Sequence, residues 1–305
     1  MTKVLKSIPI PIAGLMLGMA GLGNLISTYS IQYRYLAGFI SLIIGILLIG
    51  RLLIDYENVF DELKHPILGS VALCFPMGLM ILSTYFINIF KPAASLLWYS
   101  GLILHIFLLI IFSMRLINNV NMKKIFPSYF IVYVGIVVAS VTAPAFNHIK
   151  LGQYIFYFGF ISYIILLPII LYRVIKIGKI KRPALPTIAI FTAPAGLCLT
   201  GYMSVFPQKN IMFLGCLITL TLLSVIFVII YLPKIFSKEF YPSFSAFTFP
   251  FVITAIGLKL SNNYLLQEYN VSYLKYSVIL LEMISIILVI FVLFKYTQYL
   301  YKEFN

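Results

Sequence analysis

The sequence predicts an all-α polytopic membrane protein with ten transmembrane helices, on three observations. Hydrophobic residues make up 62% of the 305-residue chain and charged residues only 10%, a ratio that soluble domains do not carry. The apolar residues gather into ten segments of about 20 residues, enough for a helix to cross a ~30 Å hydrocarbon core. Connections are short and none reads as an interdomain linker, so residues 1–305 are expected to form a single transmembrane domain.

The ten segments run at about 8–27, 35–53, 66–87, 94–114, 127–146, 151–172, 185–206, 210–232, 241–260 and 274–294. The first reads IPIPIAGLMLGMAGLGN, opening on Pro9 and Pro11 and then placing Gly14, Gly18 and Gly21 at helical spacing. The third opens on Pro66 and carries Pro76 inside. The fifth opens on Pro127, has Gly135 at the eighth step, and ends in VTAPAF. In the seventh, Pro186 and Pro194 stand eight residues apart, as Pro242 and Pro250 do in the ninth. A proline start and a small-residue or proline middle thus recur in all five odd segments, the mark of an internally repeated architecture.

Even segments are different. YLAGFISLIIGILLIGRLL and IMFLGCLITLTLLSVIFVIIYL are nearly continuous aliphatic runs. Leu and Ile suit lipid, whereas small residues let helices approach closely. An interior proline also removes a backbone hydrogen bond, and lipid cannot satisfy the freed groups. The odd helices are therefore expected inside and the even ones outside, with helix 9 bent or broken near Pro250.

Charge sets the orientation. The two termini and the loops after helices 2, 4, 6 and 8 carry sixteen Lys and Arg, Lys179 and Lys238 among them. The opposite side carries six: Arg34, Lys91, Lys150, Lys209, Lys259 and Lys275. Both termini are thus expected in the cytoplasm of a multi-pass cell-membrane protein, of bacterial inner-membrane type. Topology and anionic lipid account for the basic excess without nucleic acid. Lys3 and Lys6 precede a run without a small-residue cleavage site, so the first segment is read as retained. Cys74, Cys198 and Cys216 all fall in apolar spans and are expected to pack there.

Little in the chain could do covalent chemistry. It has no paired Asp motif, no His–Glu metal cluster and no Ser-His-Asp set, so no enzyme, metal site or cofactor is expected. Two ionisable groups lie at depth, Glu282 in helix 10 and His105 in helix 4, and each is a proton-handling or structural candidate. The inner helices offer aromatic and neutral polar groups instead. Phe75 precedes Pro76, Phe249 precedes Pro250, and Phe191 comes three residues before Pro194. A route without fixed carboxylates does not repel anions, basic loops concentrate them at its mouth, and freed backbone N–H groups solvate them weakly. That suits passive anion flow. In helix 9, Phe244, Phe247 and Phe251 share a face while Phe249 points elsewhere, and spacing alone does not choose a gate.

The stretches PIAGLMLGMAGLGN, HPILGSVALCFPMGLM, YVGIVVASVTAP, PTIAIFTAPAGLCLTGY and FYPSFSAFTFPF resemble the tellurite-resistance/dicarboxylate transporter family, which includes the bacterial tellurite-resistance channel and plant slow anion channels. The resemblance implies five helical hairpins in quasi-fivefold arrangement, odd helices around a central pore, and a homotrimer. It also implies a helix-9 phenylalanine that plugs the pore: Phe249 by the TFP stretch, with Phe247 and Phe251 as rivals. Kinked inner helices then set pore width at Pro76, Gly135, Pro194 and Pro250. Relatives carry chloride, nitrate or organic acids such as malate, or are described by tellurite resistance. No odd span places Lys or Arg at depth, which favours small monovalent anions. The alternatives are a proton-coupled C4-dicarboxylate carrier using Glu282 or His105, and a tellurite-resistance permease.

Overall fold

A computed structural model describes residues 2–117, 121–178, 180–236 and 239–304. Lys179 and Lys238, counted above among the basic loop residues, lie outside the described residues. Among those described, every regular element is helical. Eight helices are long and apolar enough to cross a membrane: α2 (Ile31–Ile54), α3 (Pro66–Phe86), α4 (Lys91–Ile117), α6 (Ile149–Ile177), α7 (Arg182–Val205), α8 (Ile211–Ile235), α9 (Pro242–Tyr269) and α10 (Lys275–Glu303). Two shorter apolar helices, α1 (Ile12–Ile26) and α5 (Val137–Phe146), complete the set. Several helices outrun their apolar cores, α9 reaching Tyr269 and α10 continuing well past 294.

The two classes of segment separate by burial. Over their most apolar stretches α3, α7 and α9 are 72, 83 and 72% buried, whereas α2, α4, α6, α8 and α10 are only 22–33% buried. In α1 every residue from Ile12 to Gly23 is buried. The outward faces of the even helices carry Leu, Ile and Phe side chains, as lipid requires. Each odd helix packs on the even helix that follows it. The odd helices also touch one another in turn: α1 on α3, α3 on α5, α5 on α7, α7 on α9, and α9 back on α1.

The odd helices are not continuous. In α3 a short helix, Pro66–Val71, gives way to a second at Cys74–Phe86. Ahead of α5 the helix Tyr129–Tyr133 is separated from Val137–Thr142 by a turn through Gly135. Segments α7 and α9 begin as 3-10 helices, Arg182–Phe191 and Pro242–Phe247, and then become α-helices at Thr192 and Phe249. The expected break in α9 falls at Thr248 (φ −92°, ψ −90°), two residues ahead of Pro250. The reason is that proline is tolerated in a first helical turn, where its missing N–H has no partner to lose. Pro250 starts a helix rather than kinking one.

Side chains of neighbouring helices take up the polar groups at these breaks. Thr248 Oγ1 donates within reach of the Gly14 carbonyl (2.9 Å) and the Ser245 carbonyl (2.6 Å). Thr254 Oγ1 bonds the Thr192 carbonyl (2.9 Å), and Thr200 Oγ1 bonds the Ile253 carbonyl (3.1 Å), so α7 and α9 brace each other. Of the cysteines, Cys74 and Cys198 are buried as expected. Cys216 is exposed, in a groove it shares with Phe156 and Phe213.

Candidate functional site

A narrow cavity of about 50 Å³ lies among the odd helices and draws its walls from all five. Gly14 and Leu17 come from α1, Cys74 and Met77 from α3, Phe130 and Gly135 from the fifth segment, Ala193 and Pro194 from α7, and Phe249 and Pro250 from α9. The step of eight from each opening proline is the organising feature. Counted from Pro9, Pro66, Pro127, Pro186 and Pro242, it lands on Leu17, Cys74, Gly135, Pro194 and Pro250, and all five line the cavity. Among the described residues, no charged side chain lines it.

Phe249 is 4% exposed and reaches the cavity from the first turn after the Thr248 break. Its close approach to α1 depends on glycine: a Cβ on Gly21 would lie 3.3 Å from the Phe249 ring, and one on Gly18 would lie 2.5 Å from Thr248. The other aromatic candidates stand elsewhere. Phe247 packs edge-on against Phe244 (ring centroids 5.5 Å) and beside Phe236 (5.7 Å), and Phe251 is fully buried away from the lining. Phe191 supports the lining from behind, 5.5 Å from Phe130 and 4.9 Å from Phe227. Phe75 and Pro76 do not line the cavity, and Cys74 takes the position in α3 that Pro76 was expected to hold.

Phe130 lines the cavity although it stands beside no interior proline, the feature that singles out Phe75 and Phe249 in the sequence. The repeat does not mark it either: a step of three from the opening proline reaches the lining at Phe130 and Ser245, but not at Ile12, Gly69 or Ala189.

At Pro11, Ile67 and Ser243 the cavity meets a wider vestibule of about 1000 Å³. The vestibule is built from the chain termini and from the loops after α2, α4, α6 and α8. Lys6, Arg51, Lys123, Lys124, Arg173 and Lys181 line it, with Glu62 as the carboxylate among the lining residues. Arg51 is 4% exposed, donates from Nη1 to the Ile8 carbonyl (2.5 Å), and pairs through Nη2 with Glu62 (2.6 Å). Arg173 donates to the main-chain carbonyls of Lys123 and Gly178. An apolar constriction beneath a cationic funnel raises anion concentration at its mouth and offers no fixed charge to trap an anion inside.

The family model described as voltage-dependent anion channel (SLAC1) matches residues 7–297, nearly the whole chain. The chain belongs to this voltage-dependent anion channel family. It is thus a multi-pass membrane protein of a family of anion channels and transporters, in line with the motif resemblance and with its eight long apolar helices. A similar curated protein is an uncharacterized transporter of Methanocaldococcus jannaschii, 29% identical over 156 residues. That alignment covers 46% of this chain and spans about half, 45%, of the archaeal transporter.

In this family member the two deep ionisable groups stand apart from the cavity. Glu282 is held by Lys259 Nζ (2.6 Å) on one carboxylate oxygen and by the Tyr29 hydroxyl (2.8 Å) on the other. Lys259 also reaches Thr28 Oγ1 (2.8 Å), so the cluster ties α9 and α10 to the turn after α1. The hydrogen bond to Glu282, more than burial, raises the Tyr29 phenol above its ordinary value. His105 is fully buried with Nε2 3.1 Å from the Val132 carbonyl, bracing α4 against the fifth segment.

Proposed function

We propose that this protein is a passive, gated channel for small monovalent anions whose bore is closed by Phe249. The observation that carries the reading is the uncharged cavity walled by all five odd helices, with Phe249 at its wall and a cationic vestibule above it. The ring of contacts among odd helices supports ten crossings arranged as five hairpins with quasi-fivefold symmetry. The basic loops that line the vestibule support placing that end, and both termini, in the cytoplasm. A bore of neutral, small and aromatic groups favours an ion with one charge, since a dicarboxylate needs cations along its path to replace lost hydration. A homotrimer, implied by the family resemblance, belongs to the same proposal.

Nothing in the geometry favours proton coupling. Glu282 already shares its charge with Lys259, and neither it nor His105 lines the cavity. Two fluxes in proteoliposomes test the reading. Chloride or nitrate flux should follow the anion gradient and ignore an imposed pH gradient, in wild type and in Glu282→Gln alike. Malate uptake driven by the pH gradient and abolished by Glu282→Gln would replace the channel with a carrier.

A further inference from the structure

The vestibule is far wider than the cavity it leads to and is lined by cations, whereas the cavity is apolar. Of the six cations that line it among the described residues, Lys6 lies 3.7 Å from Asp55 and Arg51 pairs with Glu62. Among the described residues, Lys123, Lys124, Arg173 and Lys181 have no carboxylate in salt-bridge contact. Two of the cations are also withdrawn from water. Arg173 is 3% exposed, and Arg51 is 4% exposed with a buried Nε that has no hydrogen-bond partner. A buried guanidinium is stabilised by an anionic partner; Arg51 has Glu62, whereas Arg173 has main-chain carbonyls but no carboxylate among the described residues.

Size and shape narrow the class of partner. A volume of about 1000 Å³ sits at the upper end of the ~300–1,000 Å³ typical of small-molecule sites. Phe126, Tyr241 and Tyr299 add flat aromatic surface to the vestibule lining, and Arg173 lies 5.8 Å above the Phe126 ring. The floor is the 50 Å³ apolar cavity, where an ion bearing several charges cannot replace its hydration. Such an anion is attracted to the vestibule and stopped at its base.

We propose that the vestibule is a binding site for a polyvalent phosphorylated small molecule of nucleotide size, and that the bound molecule caps the cavity beneath it. Phosphates sit on the unpaired cations from the loops after α4 and α6, and an attached ring lies against the aromatic lining. The capping half rests on the channel reading; the binding half does not.

The test uses the full chain in phosphatidylcholine nanodiscs, titrated calorimetrically with tripolyphosphate and with ATP in the absence of magnesium. The comparison is Lys123→Gln/Lys124→Gln/Lys181→Gln, three exposed positions whose change spares the fold. Both probes should bind wild type, weaken as salt rises, and bind the triple variant at least about tenfold less tightly. No binding to wild type, or equal binding to the variant, overturns the site. A second titration in nanodiscs containing a few per cent of a phosphoinositide separates free phosphates from lipid headgroups. If the lipid alone removes tripolyphosphate binding, the cations serve the membrane and the proposal fails. In Phe249→Ala proteoliposomes, ATP on the vestibule side should lower chloride efflux. Binding without that block overturns the capping. A total absence of chloride efflux counts against the channel reading instead, and the titration still decides the site.

Discussion

The Thr248 hydroxyl lies 2.9 Å from the main-chain carbonyl of Gly14, joining the break in α9 to α1 across 234 residues of sequence. Phe249 hangs from that junction. The glycines of α1 make it possible, because any side chain at Gly14 or Gly18 would occupy the space that Ser245 and Thr248 now fill.

Gly18→Val should therefore displace the α9 break. A Cβ at this position would stand 2.5 Å from Thr248 and 3.1 Å from the Phe249 main-chain nitrogen. Overpacking of this kind costs ~1–3 kcal/mol. A lowered thermal midpoint together with altered anion flux is expected, and the same change at Gly215, where a Cβ meets nothing, should leave both unchanged.

Glu282→Ala should destabilise the protein by ~3 kcal/mol, since it strands Lys259 with a side chain only 20% exposed. Replacing both partners with apolar residues, Lys259→Met/Glu282→Leu, should recover much of that loss. Thermal unfolding of the two variants in the same detergent distinguishes an ion-pair clasp from a proton-carrying carboxylate.

Tyr29 gives that clasp an alkaline limit. Its phenol is raised above the ordinary value of 10.0, chiefly by the hydrogen bond to Glu282. The folded state therefore holds this proton where the unfolded chain has released it, so the contribution is complete below about pH 10 and is lost as pH rises further. The stability difference between wild type and Tyr29→Phe, followed by melting across pH, should be constant up to that point and then shrink.

Phe130→Ala should widen the cavity from the side facing away from α9. Its ring is 2% exposed and lies 5.5 Å from that of Phe191, so truncation costs ~3 kcal/mol as well. Combined with Phe249→Ala, it should raise anion flux beyond that of the single variant if both rings border one passage.

Much of this architecture is legible in the chain because the bilayer imposes a simple grammar. Proline-headed, glycine-rich stretches became the buried helices, and the Leu and Ile runs became the outer ones. The step of eight from opening proline to lining residue is visible in α7 and α9 before any coordinates. Pro76 lies ten residues after Pro66, in the first turn of the helix that restarts at Cys74, so Cys74 and not Pro76 occupies the eighth step and lines the cavity. The partnership of Lys259 with Glu282 was not legible, since it joins residues on neighbouring helices whose relative rotation no periodicity fixes. The vestibule was visible only as a charge count. That two of its arginines are buried depends on main-chain carbonyls of Ile8, Lys123 and Gly178, which are set by loop geometry alone.

The central claim is that the Phe249 ring closes an otherwise open anion path. Chloride efflux from proteoliposomes, measured side by side for wild type and Phe249→Ala at fixed pH, tests it most directly. Slow efflux is expected from wild type and a rise of more than about tenfold in the variant, the factor that a barrier lowered by ~1.4 kcal/mol provides. Equal or slower efflux from a folded Phe249→Ala protein would contradict it and leave the cavity without its gate.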